Sequence, residues 1–333
     1  MSLDISGAFD AARIEDHDNH APTDAEWFQE SSLFTVCDPG AGVLGYYRIG
    51  IHPNLGRANA YGFTSAESLG VVDRYFGADR PIPEASVNDC SVGAVRFEVI
   101  EPMAAYRVRM DGEAYRLDVE WRPFFRPISA HSSVGGLSFA SGHYNAIGRA
   151  VGTVENDEGA VAIDAFGYMD HSWGERRSHF PASKWIFACA DEDTFLQAFP
   201  VLGADGRSRT IIGYAARDGL LRKLVGDYST GYSIRDDWLT PSGCDAELRD
   251  EDGRVFRLTG RTRGPEGIYP FLHGKFCVHA LAEFTLDGRP AKGLLENSPP
   301  RVIPTYAVDT YGLDPSGIWL KAPVEERGVR STV

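Results

Sequence analysis

One short stretch, Gly167-Tyr168-Met169-Asp170-His171-Ser172-Trp173-Gly174-Glu175-Arg176-Arg177, brings together an acid, a base, an aromatic face and a cation. Upstream stand His143-Tyr144, then Gly148 and Gly152. A carboxyl group removed from water stays protonated and can donate, the role expected of Asp170. His171, ordinarily titrating near neutrality, would orient that acid or activate water. Trp173 and a tyrosine, Tyr144 or Tyr168, offer ring faces to a cation, ~0.5–2 kcal/mol each. Such a set suits protonation of an unactivated double bond, or the reverse elimination. A guanidinium beside a carbocation would repel it, so Arg176 is assigned to holding the loop or Glu175. Gly167 and Gly174 allow a bend or a close backbone approach. The same residues also admit a structural reading: an ion pair at a strand end and a tryptophan plugging a barrel floor.

In an extended segment Asp170 and Ser172 face one way, His171 and Trp173 the other. A β-bulge at the glycines is one way to bring both faces to a single cavity. The surrounding chain reads as strands. Asp-Gly, which supplies the positive φ of two-residue hairpins, recurs at Asp111-Gly112, Asp205-Gly206, Asp218-Gly219, Asp252-Gly253 and Asp287-Gly288. Strand-like runs include 43–51, 94–100, 147–154, 161–168 and 184–190, with Ser65 to Phe76 the best short helix candidate. This spacing predicts an all-β sandwich or barrel architecture with little helix. A polar break near residues 176–183 divides the chain into domains 1–180 and 181–333, the first led by an acidic arm and the second ending in a solvated tail, Pro323 to Val333.

The 333 residues suit two domains. A net charge of −14 argues against a nucleic-acid partner and against docking on an anionic membrane. No apolar run approaches the ~20 residues of a membrane span and the start lacks a secretory signal, so a cytoplasmic protein is expected. The five cysteines form no CxxC pair. Gly40-Ala41-Gly42-Val43-Leu44-Gly45 matches GxGxxG, but Pro39 precedes it and a strand-like run follows, which removes the dinucleotide reading. His17 and His20 read as part of a solvated arm, and His273 with His279 as ordinary strand content, so neither metal nor cofactor is expected. Glu296 is a second carboxylate candidate for general base, and His143 and His279 are candidate substrate contacts.

Asp-His-Ser-Trp-Gly-x-Arg, after His-Tyr and a glycine-punctuated strand pair, resembles the carotenoid 1,2-hydratase-like family, also called hydroxyneurosporene-synthase or AttH-type. Tyr47-Arg48-Ile49-Gly50-Ile51-His52-Pro53-Asn54 and Gly293-Leu294-Leu295-Glu296 resemble its early and late strands. The resemblance implies two consecutive lipocalin-like (calycin) β-barrels, the motif near their junction, and cofactor-free chemistry on isoprenoid-like or polycyclic molecules. The Tyr-x-Asp pair expected downstream is replaced within Thr194 to Pro200 by the single polar Gln197, which leaves two alternatives: its role has moved, for example to Glu296 or His279, or the chemistry differs. The expected function is a cofactor-independent hydratase or dehydratase acting on a hydrophobic terpenoid, steroid or aromatic molecule. A non-catalytic carrier and a cyclase or isomerase of the pericyclase type are the alternatives, and a homodimer is left open.

Overall fold

The computed structural model describes residues 3–5, 8–129, 133–134, 137–138, 140–176, 183–202, 209–237, 239–270 and 276–298. They fall into two compact units. Among the described residues, one is drawn from Phe9–Ser132 and Ser138–Arg177, the other from Met1–Ala8, Ser133–Leu137 and the chain between Ser183 and Ser298. The strands of the first are β1 (Phe28–Asp38), β2 (Val43–His52), β3 (Arg57–Ala66), β4 (Val71–Arg80), β5 (Ser91–Val92), β6 (Val95–Glu101), β7 (Ala105–Asp111), β8 (Arg116–Pro123) and β9 (Ile128–Ser129). The short β10 (Ser133–Val134) and β11 (Leu137–Ser138) pair with each other. The long hairpin of β12 (Gly142–Asn156) and β13 (Gly159–Glu175) completes the large sheet, ordered β4-β3-β2-β1-β13-β12-β8-β7-β6-β5.

The sheet curls because one face of it is apolar. In β7 and β8, Tyr106, Val108 and Met110 lie opposite Trp121, Val119 and Leu117, all buried, while the intervening charged residues point away. Phe34 of β1 meets Phe97, Tyr106 and Trp121 at ring-centroid distances of 4.8, 5.3 and 5.6 Å. Each such ring contributes on the order of 1.5–3 kcal/mol by leaving water. The glycines in the hairpin make room for this core. Gly148 lies opposite Gly167, and a Cβ on Gly167 would stand 2.1 Å from the Thr35 carbonyl oxygen and 2.8 Å from Trp121 Nε1.

The second unit is a closed antiparallel barrel of β14 (Ser183–Asp191), β15 (Thr194–Leu202), β16 (Arg209–Arg217), β17 (Leu220–Ile234), β18 (Pro241–Asp250), β19 (Val255–Pro270), β20 (Phe276–Leu286) and β21 (Arg289–Ser298), with β21 returning to β14. Ile186, Leu196, Leu248, Phe256, Phe284 and Leu295 fill its interior. Near the start of the chain, Asp4 bridges to Leu220 of this unit. The molecule is thus all-β, built from two lipocalin-like units.

Asp218-Gly219 and Asp287-Gly288 form the expected two-residue turns, each with both φ angles positive. At Asp111-Gly112 and Asp252-Gly253 the connections run longer, from Gly112 to Tyr115 and from Glu251 to Arg254. Asp205-Gly206 and the tail from Pro323 lie outside the described residues. The helix expected over Ser65 to Phe76 is absent. Those residues end β3, make one 3₁₀ turn at Glu67–Leu69, and begin β4 after Gly70 at φ 61°. Pairing along β3 overrides a weak local helical pattern. Among the described residues the five cysteines are buried thiols, and no helix is long and apolar enough to cross a membrane.

Candidate functional site

The motif strand splits by face. The register of β13 is unbroken, from Gly159 opposite Asn156 to Trp173 opposite Gly142 on β12, and from Phe166 opposite Cys37 to Glu175 opposite Phe28 on β1. No bulge at the glycines brings the two faces together. Strict alternation sends His171 and Trp173 to the inner face, and Tyr168, Asp170 and Ser172 to the outer one. Gly174 serves a tight approach: at φ 122°, its Cβ would lie 2.3 Å from the Ser141 nitrogen, which donates to the Trp173 carbonyl.

On the inner face, cross-strand pairing sets Ser32 and Tyr144 beside His171, and Glu30 beside Trp173. Asn88 Nδ2 donates to the His17 carbonyl at 2.7 Å, which fixes its amide so that the same NH₂ also donates to His171 Nδ1 at 3.0 Å. The Tyr144 hydroxyl lies 3.0 Å from that nitrogen. Nδ1 is thus the accepting nitrogen, and Nε2–H donates to Glu30 Oε1 in a short hydrogen bond. Burial works to raise the Glu30 carboxyl, but hydrogen bonds from His171 and His20 outweigh it and hold the group below its usual range. Burial, with Tyr106 and Glu30 adding to it, pushes the Tyr144 phenol well up, so it stays protonated.

His20 closes this cluster. Its ring stacks on Trp173 at 3.7 Å with an interplanar angle of 7°, and its Nδ1 lies 3.0 Å from Glu30 Oε1. Asp16 and His17 are buried as well. The reading of this segment as a solvated arm is overturned: it packs on the sheet because Glu30 and Trp173, distant in sequence, supply an ionic and an aromatic partner.

The outer face carries a polar strip. His143 Nε2 lies 3.2 Å from Asp170 Oδ2, with side-chain exposures of 10% and 23%. Asp170 is therefore not sealed from water as expected. Arg176 clamps β1 to β13, donating to Gln29 Oε1 at 2.9 Å, to the Ser172 carbonyl and hydroxyl at 3.0 and 2.8 Å, and to the Ser31 hydroxyl at 3.2 Å. Gln29 Nε2 and Asn59 Nδ2 both point at His52 Nε2, at 2.9 and 2.8 Å. Their carbonyl ends accept from Arg176 and Arg48, so both NH₂ groups donate and His52 carries its proton on Nδ1.

Burial, then Arg48, Arg57 and Arg176, push His52 down to about 3 from its usual 6.5. Between those values the unfolded chain binds a proton that the folded protein refuses. Stability is thus complete above pH 6.5 and falls as the pH drops toward 3, by on the order of a few kcal/mol. His52→Gln, whose amide oxygen accepts the same two bonds, is expected to flatten this acid limb. Urea midpoints measured from pH 3.5 to 7 check it, and an unchanged slope would count against the assignment.

In the second unit, His279 Nε2 lies 2.7 Å from Glu296 Oε2, and both are buried. Adjacent registers place Trp185, Glu296 and His279 side by side on β14, β21 and β20, facing away from the barrel interior. Trp185 meets the His279 ring edge-on at 6.3 Å and stacks on Phe199 at 5.3 Å. Two candidates named separately in the sequence are thus one hydrogen-bonded pair. His273 lies outside the described residues.

Sequence reasoning missed Glu30, His20 and Asn88 on the inner face, and Gln29, His52 and Asn59 on the outer. One signal was available. Gln29-Glu30-Ser31-Ser32 is a polar run inside a strand whose 11 residues are all buried, and buried polar groups require designed partners.

The fold and site define a two-unit, lipocalin-like β protein with histidine–carboxylate pairs in each unit. The chain belongs to the family described as a domain of unknown function, DUF7064, whose model matches residues 13–301. None of the curated proteins matches it in sequence. Among solved structures, a protein provisionally assigned as an AttH from Nitrosomonas europaea is similar at a TM-score of 0.67 and 16% identity, covering 91% of this chain and 100% of its own. Kievitone hydratase from Nectria haematococca is similar at 0.60 and 12%, covering 90% and 96%. CghA is similar at 0.53 and 13%, covering 84% and 93%. At these identities the likeness is one of fold, and it extends over both units.

Proposed function

We propose that the protein is a hydro-lyase of the hydratase or dehydratase type acting on a hydrophobic small molecule, with Asp170 as the acid and His143 as its partner. The observation that carries this reading is the split of the motif by face. His171 has both ring nitrogens engaged and no exposed surface, whereas Asp170 keeps side-chain exposure beside an imidazole. A catalytic acid must reach its substrate. In hydration, Asp170 gives its proton to one alkene carbon, water bonds to the cationic carbon, and the proton lost by that water returns to the carboxylate. His143 Nε2 orients the carboxyl. Tyr168 shares this face, while Trp173 and Tyr144, on the other side of the strand, support it rather than touch substrate. The fold shared with kievitone hydratase, a hydratase by its name, supports the reaction class.

The test is native mass spectrometry of molecules retained through purification, followed by incubation of the identified ligand with the protein in H₂¹⁸O. Gain of one ¹⁸O-labelled water, or loss of water, is expected. A ligand retained and released unchanged would make the protein a carrier, and conversion without exchange or loss of water would make it an isomerase or cyclase.

A further inference from the structure

We propose that His20, Glu30 and His171 form a site for a divalent transition-metal ion at the inner face of β1 and β13. One nitrogen from each histidine and one carboxylate oxygen lie within 4.8 Å of one another. His20 Nδ1 stands 3.0 Å from Glu30 Oε1, and His171 Nε2 is hydrogen-bonded to the same oxygen. An ion about 2.0–2.2 Å from each donor fits among groups so spaced, and two imidazoles with one carboxylate suit zinc, cobalt or ferrous iron.

The groups behind the donors match what ligands require. Asp16 Oδ1 lies 3.5 Å from His20 Nε2, so a carboxylate faces the far nitrogen of this imidazole. The Tyr144 hydroxyl oxygen, 3.0 Å from His171 Nδ1, accepts the hydrogen bond that Nδ1–H donates once Nε2 is given to the ion. Asn88 Nδ2 then keeps its bonds to the His17 carbonyl and to the Tyr144 hydroxyl, at 2.7 and 3.3 Å. Glu30 Oε2 accepts the backbone N–H of His20 at 3.1 Å, which orients the carboxylate. Glu30 and His171 are almost fully buried, while His20 keeps 21% side-chain exposure and marks the entry path. The bound ion would tie the segment around His20 to the two strands that carry the motif. The site lies on the face of β13 opposite Asp170, so its failure leaves the hydro-lyase reading standing, and the reverse holds too.

Full-length protein treated with chelator and titrated with Co²⁺ or Zn²⁺ tests this. Binding of one ion at micromolar or tighter affinity is expected, with visible Co²⁺ d–d bands and a melting temperature raised by several degrees at saturation. His20→Ala, on a part-exposed segment, is expected to fold and to weaken binding at least 100-fold. Asp16→Asn is expected to weaken it 10–100-fold. No binding at millimolar metal, or equal binding by wild type and His20→Ala, overturns the proposal and leaves a proton-linked His–Glu–His cluster.

Discussion

Asp170→Asn is expected to cut turnover by about 10²–10⁴-fold, the usual contribution of a positioned general acid. The amide keeps the shape and the contact with His143 but has no acidic proton to give. Asp170 sits part-exposed on the outer face, so the substitution removes no core contact and stability should change by less than about 1 kcal/mol. Turnover of the ligand identified by mass spectrometry, read beside the melting temperature and ligand affinity, checks all three expectations. Unchanged turnover would remove Asp170 from the chemistry. Lost turnover together with a lost fold would return it to the structural reading.

One residue along, His171→Ala should do the opposite. The imidazole is fully buried and bonds Glu30, while Asn88 and Tyr144 are directed at its other nitrogen. Removing it leaves the Glu30 carboxylate with His20 as its remaining imidazole, takes one partner each from Asn88 and Tyr144 and opens a cavity beside Trp173, whose ring centroid is 5.6 Å away. Breaking one side of a buried ionic cluster costs about 3–5 kcal/mol, or on the order of 10 °C for a unit of this size. Circular-dichroism melting and urea titration measure it. A loss below about 1 kcal/mol would mean that water readily replaces the ring, and the lock ascribed to His171 would not exist. Adjacent positions with opposite phenotypes would be direct evidence that the motif serves two faces with two tasks.

Much of the architecture was legible because its causes are local. Period-2 alternation marks strands such as Arg116–Pro123, and Asp-Gly between apolar runs marks the tight turns at Asp218 and Asp287. Of the candidate site, part of the chemical inventory was legible, but neither the remaining partners nor the arrangement was. Asp170, His171, Trp173, His143, His279 and Glu296 stood out by type, and period 2 already implied that Asp170 and His171 face apart. Whether a bulge reunites them depends on the partner strands, whose register runs unbroken. The misread arm has the same origin. Within its own segment His20 meets acidic and small residues, and nothing local announces Glu30 and Trp173.

By itself, the sequence determined the β class, the two-part division of the fold and the chemical inventory of the motif, since these follow from side-chain period, turn stereochemistry and residue type. Tertiary structure alone decided which side chains meet. The cross-strand register put Glu30 and Tyr144 with His171, His143 with Asp170, and His279 with Glu296. Strand pairing is a long-range choice, made by which apolar faces bury together, and in one step it assigns every polar residue to one side of a sheet or the other.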